Sequence, residues 1–298
     1  MKEKNYSIER KKAKWGWFFV TPALVLFAVF SLYPMLNALW NTFFNVKLLS
    51  NKKPAFVGVK NYISVLSSSD FWSSMKATVV FTLMSFIPLS IFSFIFGLIL
   101  TTRKKGVKVM QLMIYSPAIL SSTVAALIWL IMFDPRGIMN SIVNFICHTE
   151  GVDHRWLTNT SKLYMSTAMI YFWKYIGYFS IIVMTGIAKI PTSVMEAATI
   201  DGANAKQTVF RIILPLLRPT TIMVSVVAML NCMKSFSTQY LFTQKGAPNA
   251  PLNVLTLNIY QTAMRDRNIS KACVMSIILF AIMMTLTVIR MKFSKEQD

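Results

Sequence analysis

Apolar positions along this chain gather into six long runs, approximately Trp15–Ala38, Lys76–Thr101, Met110–Phe133, Leu163–Ala188, Thr220–Phe242 and Ala272–Arg290. Each comes close to the roughly 20 residues that a helix needs to cross a hydrocarbon layer about 30 Å thick. Backbone amides find no water in such a layer, so the runs predict helices, and the chain reads as an all-α membrane protein of six spans. The fifth run is the weakest, because Asn231, Lys234, Ser235, Ser237 and Gln239 interrupt it. The first contains Pro22 and Pro34, which a membrane helix tolerates. Its apolar core is longer than that of a secretory signal and no small-residue cleavage pattern follows, so it is read as a retained span.

Composition agrees with this pattern: 55% of the 298 residues are apolar, 14% are charged, and the mean hydropathy is +0.52. The net charge of +20 raises nucleic acid as a partner, but the bases are scattered through short connecting segments with no aromatic platform or groove-reading motif. Lys11, Lys12 and Lys14 followed by Trp15 and Trp17 read instead as an anchor beside anionic lipid. With the N-terminus inside, segments 1–14, 102–109, 189–219 and 290–298 carry 17 Lys and Arg, against 12 in the longer outer segments. That is about twice the density, and it favours a cytoplasmic N-terminus and C-terminus. The predicted layout is a cytoplasmic segment 1–14, a six-helix domain 15–291 with an inner loop 189–219, and a cytoplasmic tail 292–298.

That inner loop reads KIPTSVMEAATIDGANAKQTVFRIILPLLR from Lys189 to Arg218. Ser193 and Glu196 stand at the spacing of a reciprocal helix-capping box, with Pro191 just upstream. Gly202 falls where the chain is predicted to change direction. A second helix, about Lys206 to Ile213, is predicted to end before Leu214-Pro215. Glu196-Ala197-Ala198, Asp201-Gly202 and Ile212, Leu214, Pro215 fit the spacing EAA-x3-G-x9-I-x-L-P. This resembles the cytoplasmic coupling loop of the permease subunits of ATP-binding-cassette importers. The resemblance implies that the loop docks on a separate ATPase.

Further along, Phe236, Tyr240, Thr243, Gly246-Ala247-Pro248 and Ile259-Tyr260 resemble a run found in carbohydrate-uptake permeases. Ser237 stands where family members commonly carry an acid, and Ala247 replaces a glycine. The segment around Pro22 to Met35, and Asp134-Pro135-x-Gly137-x-x-Asn140, are similar as well. The resemblance runs from about Trp15 to Phe293, to permeases of maltose and multiple-sugar type. It implies a type I importer architecture, a second permease subunit forming a heterodimer, two ATPase subunits and an extracytoplasmic sugar-binding protein. ATP and Mg would sit on the ATPase, with no cofactor on this chain.

In the fourth run, Tyr171, Lys174, Tyr175 and Tyr178 share one helix face. A tyrosine ring can stack on a sugar while its hydroxyl bonds to it. Lysines at mid-membrane depth, Lys174 and Lys234, need water or a partner. Matched to the maltose-type permeases, Tyr171, Lys174, Tyr175, Tyr178, Leu230, Met233, Lys234 and Ser237 are candidate lining residues of a sugar path. The tyrosines also fit an interfacial belt, Lys174 a structural bond to a carbonyl or a partner helix, and both lysines a snorkelling arrangement.

Other chemistry is sparse. Cys147, Cys232 and Cys273 lie far apart, without a C-x-x-C pair. His148 and His154 beside Glu150 and Asp153 read as a solvated outer loop rather than a metal site. Ile138, Ile142, Val143 and Ile146 predict a short amphipathic helix in that loop, and Pro248 and Pro251 a protruding outer loop. No Walker A sequence, G-x-S-x-G or H-E-x-x-H occurs, which argues against an ATPase or other enzyme. An ion-driven transporter would want acids within spans and inverted repeats, and neither is seen. Importers of polyamines, phosphate, iron or amino acids share the loop motif. An anionic or phosphorylated sugar stays open because of the two lysines.

Overall fold

Helix forms along all six apolar runs, but not everywhere as one unbroken rod. The structure, a computed structural model, describes residues 2–51, 53–102, 105–149, 151–248 and 252–295, with side chains from 14 to 292. Arg103, Lys104, Glu150 and Pro251 lie outside the described residues, as do the side chains of Lys11 and Lys12. The chain divides into two units, Met1–Ser67 with Gln261–Ile278, and Ser68–Tyr260 with Leu279–Asp298.

In the first unit, α1 (Lys2–Phe27), a π-helical turn (Ala28–Leu32) and α2 (Tyr33–Asn41) follow one another without a gap. The stretch Lys14–Asn41 is long and apolar enough to cross a membrane. The wider turn just before Pro34 relieves the clash that a proline ring makes with the preceding turn. Two short strands follow, β1 (Phe44–Asn45) and β2 (Ala55–Phe56), paired antiparallel, then α3 (Lys60–Leu66). Buried polar groups tie this end together. Asn61 Nδ2 donates to the Thr42 and Phe44 carbonyls at 2.8 and 2.9 Å. Ser270 Oγ donates to the Phe44 carbonyl and accepts from Val46 N–H at 2.7 Å.

The second unit is built around a single buried helix. It comprises α4 (Ser69–Thr102), α5 (Val107–Ile119), α6 (Ser122–Met132), α7 (Ile138–Cys147), α8 (Thr160–Ile187), α9 (Thr192–Ile200), α10 (Ala205–Gln207), α11 (Leu214–Leu216), α12 (Arg218–Met233) and α13 (Ser237–Gln244). The helix α14 (Leu255–Met264) and the last one, α15 (Ile269–Lys295), each run across the division between units. Glycines let α8 meet three neighbours closely, as expected where packing rather than water exclusion joins membrane helices. An added Cβ at Gly97 of α4 would stand 2.6 Å from Val183 of α8. One at Gly186 of α8 would stand 2.7 Å from Thr220 of α12. One at Gly177 would overlap the Ile114 carbonyl of α5. Gly177→Val is therefore expected to cost about 3 kcal/mol or more. Gel filtration of the solubilised protein should show little monodisperse material, whereas Gly16→Ala, with nothing within 4 Å, should match wild type.

The third run departs from the sequence expectation. Its helix is broken into two, α5 and α6, bent by 100° at Leu120-Ser121. Pro117 lies in the last turn of α5, Leu120 is extended, and Ser121 Oγ accepts from Val124 N–H at 3.2 Å to start α6. Five helices are long and apolar enough to span, or six if the bent pair counts as one. The loop after α6 forms a tight corner: Gly137 N–H donates to the Asp134 carbonyl at 2.7 Å, and Trp156 Nε1 donates to Asn140 Oδ1 at 2.7 Å. The amphipathic helix expected around Ile138 is α7, with Ile138, Ile142 and Ile146 exposed and Val143 half-buried. His154 Nε2 lies 2.7 Å from Asn144 Oδ1, within the same loop.

Candidate functional site

Two features of the second unit carry chemistry: a polar cavity between α6, α8, α12 and α13, and the elbow formed by α9 to α11. The cavity, about 250 Å³, is lined by Ser122, Ile170, Tyr171, Lys174, Tyr175, Asn231, Lys234, Ser235, Phe236, Ser237 and Thr238. It owes its polar wall to two helix breaks. The first, at Leu120-Ser121, brings Ser122 to the cavity. The second separates α12 from α13, so that Lys234, Ser235 and Phe236 lie outside both helices.

Of the residues predicted to line a path, Tyr171, Lys174, Tyr175, Lys234 and Ser237 come together in this wall. Tyr178, Leu230 and Met233 do not belong to it. Tyr178 stands one turn beyond Tyr175 and is exposed. Met233 is buried on the side of α12 away from Asn231, two residues and about 200° further round the helix. Leu230 is half-buried. Ser122, Ile170, Asn231, Ser235, Phe236 and Thr238 were not among the expected lining residues. Asn231 was legible as a polar interruption of the fifth run. Ser122 was not, because the third run shows no break in its hydropathy.

The two lysines have different surroundings. Lys174 is 6% exposed, and its Nζ donates to the carbonyls of Ala118 and Leu120, with the Tyr175 ring centroid 5.0 Å away. It thus satisfies carbonyls freed at the end of α5, where no helical amide follows. Lys234 is exposed. Aromatic rings line the rest: Tyr171 and Tyr175 centroids are 4.6 Å apart, and Phe236 stacks on Tyr240 at 5.2 Å.

The elbow corrects two details of the sequence reading. Ser193 and Glu196 make no capping box, since α9 starts after Pro191 with no side-chain cap, and Glu196 is exposed. The box forms later, between Asn204 and Gln207, each donating a backbone N–H to the other's side chain at 2.9 Å. Nor does the second helix stop before Leu214-Pro215. A π turn, Thr208–Ile213, absorbs Pro215 as the earlier one absorbs Pro34, and the helix continues through α11 into α12. Gly202 acts as expected. At φ +74° it closes α9, its N–H bonding the Thr199 carbonyl at 3.1 Å and Ala203 N–H bonding the Ala198 carbonyl at 2.9 Å. Ala198 is buried, whereas Ala197, Asp201, Leu214 and Pro215 are exposed and Ile212 half-buried. Ile200 is 86% exposed and Phe210 60%, two apolar side chains at the tip that sequence reading did not single out.

Residues 60–294 match the family of binding-protein-dependent transport system inner membrane components. The chain belongs to that family. It is a membrane-embedded permease component and not an enzyme. One relative, the probable starch degradation products transport system permease protein AmyD of Thermoanaerobacterium thermosulfurigenes, is 26% identical over 97% of this chain and 98% of its own length. Another, the trehalose/maltose transport system permease protein MalF of Thermococcus litoralis, is 27% identical over 97% and 96%. Among solved structures, a chain of a bacterial alginate ABC transporter, crystallised with an alginate pentasaccharide-bound periplasmic protein, superposes with a TM-score of 0.81 at 18% identity. That match covers 98% of this permease and 96% of the other chain, and establishes the ABC importer permease fold.

Proposed function

We propose that this permease is one half of the pore of an ATP-driven sugar importer, and that its α9–α11 elbow receives the force from a separate ATPase. The carrying observation is mechanical. From Ala205 the chain is helical through the π turn and α11, passes one turn residue, Leu217, and is helical again to Met233, so nearly continuous helix joins the elbow to the cavity wall at Asn231. A push on the elbow is thereby delivered to the wall, the rigid-body form of alternating access. The exposed Glu196, Ile200 and Phe210 offer an acidic and apolar tip for a groove on the ATPase.

Sugar as the cargo is supported by AmyD and MalF, whose names concern starch products and trehalose or maltose. It is also supported by a wall that mixes aromatic rings with hydroxyl and amide groups. ATP and Mg belong to the paired ATPases, and an extracytoplasmic binding protein delivers the sugar. A second permease subunit completes the pore: the stretch Lys14–Asn41 buries none of its apolar window within the chain and needs lipid or another helix against it. The elbow faces the cytoplasm with both termini, as the bias of basic residues indicates.

The test is proximity in cells. With Cys147 replaced by serine, Ala197→Cys and a short thiol crosslinker should capture an ATPase subunit. Adding Glu196→Lys should abolish both capture and sugar uptake while the chain stays in the membrane fraction. No capture, or capture only by reagents outside the cell, refutes the coupling role.

A further inference from the structure

The cavity holds one cation with no partner and no acid to neutralise it. Among the described residues the Lys234 ammonium makes no hydrogen bond or ion pair, and no Asp or Glu lines the wall. The other lysine is engaged, because Lys174 is 6% exposed and commits two of its three donors to the Ala118 and Leu120 carbonyls. Around Lys234 stand the Asn231 amide and the hydroxyls of Ser122, Ser235, Ser237 and Thr238, next to the rings of Tyr175 and Phe236. A charge at membrane depth is costly unless something answers it. Water answers it in the empty path, and a neutral sugar would strip that water while returning only weak bonds. A negatively charged group returns a charge-assisted hydrogen bond instead.

We propose that this permease is selective for anionic sugars, with the carboxylate or phosphate of the solute on Lys234 and its hydroxyls on the surrounding serines, threonine and asparagine. Lys234 is then the residue that separates charged from neutral cargo. The inference rests on the sugar-importer reading above and narrows it.

The test uses cells that carry the complete native transporter, with a deletion of this chain as the baseline. They are given an equimolar mixture of neutral hexose disaccharides, uronic-acid disaccharides and hexose phosphates, and depletion of each is followed by mass spectrometry. Chain-dependent uptake should favour an acidic class, and the mixture tells carboxylate from phosphate. Lys234→Gln should lower that uptake by about tenfold or more, the scale of one lost charge-assisted bond. Lys234→Arg should keep most of it, and neutral uptake should not fall in either variant. Preference for neutral disaccharides in wild type, unchanged by Lys234→Gln, overturns the selectivity alone. Equal loss of both classes with Lys234→Gln makes the residue structural and also overturns it. No chain-dependent uptake of any class overturns the sugar-importer reading beneath it, while crosslinking at Ala197 reports separately on the ATPase.

Discussion

Gly202→Val is expected to abolish sugar uptake while leaving the chain folded and inserted. Gly202 sits at φ +74°, and nothing lies within 4 Å of where its Cβ would be. The penalty is therefore purely conformational: a β-branched residue in the left-handed region costs at least the roughly 1–2 kcal/mol charged to any L side chain there. The two bonds that close α9, from Gly202 to Thr199 and from Ala203 to Ala198, are lost as the turn relaxes. The tip bearing Ile200 then no longer holds a fixed angle to the α10–α12 rod, and a push from the ATPase is absorbed rather than transmitted. Uptake should drop to background with normal amounts of chain in the membrane. Gly202→Asn, which tolerates this backbone region, should keep most of the activity. Equal activity in Gly202→Val and Gly202→Asn would show that the turn carries no force.

Lys174→Met should act through stability and not through cargo choice. Methionine matches the length of lysine but donates no hydrogen bond, so the Ala118 and Leu120 carbonyls lose their partner at the 100° break. Each unsatisfied buried group costs about 1–3 kcal/mol, and at 6% exposure Lys174 leaves little room for water to take over its two bonds. The thermal midpoint of the purified transporter in detergent should fall by about 5 °C or more. Uptake of neutral and acidic sugars should fall in parallel, which distinguishes it from the class-specific loss expected for Lys234→Gln. An unchanged midpoint would mean that the carbonyls at the break are satisfied some other way.

Much of this molecule was legible in the order of its residues. Long apolar runs fixed the helices, because a backbone in lipid has no alternative way to satisfy its amides. Gly202 announced its turn, because only a residue without Cβ enters that conformation freely. The face shared by Tyr171, Lys174 and Tyr175 followed from helical periodicity alone. The Ser193–Glu196 box failed because α9 begins at Thr192, directly after Pro191, which puts Ser193 inside the first turn rather than at the cap; Asn204 and Gln207 cap the next helix.

What only the tertiary structure decided is where the helices break and which lysine is consumed by a break. Hydropathy averages over a window, so it cannot see Pro117 and Ser121 turning one apolar run through 100°. Lys174 and Lys234 look alike as charges within apolar runs, yet one is tied to carbonyls 54 and 56 residues away and the other stands free in the cavity. Sequence determined that the chain would be helical, membrane-embedded and elbowed. The assignment of one lysine to structure and the other to the solute path depended on contacts between residues distant along the chain, which no local pattern encodes.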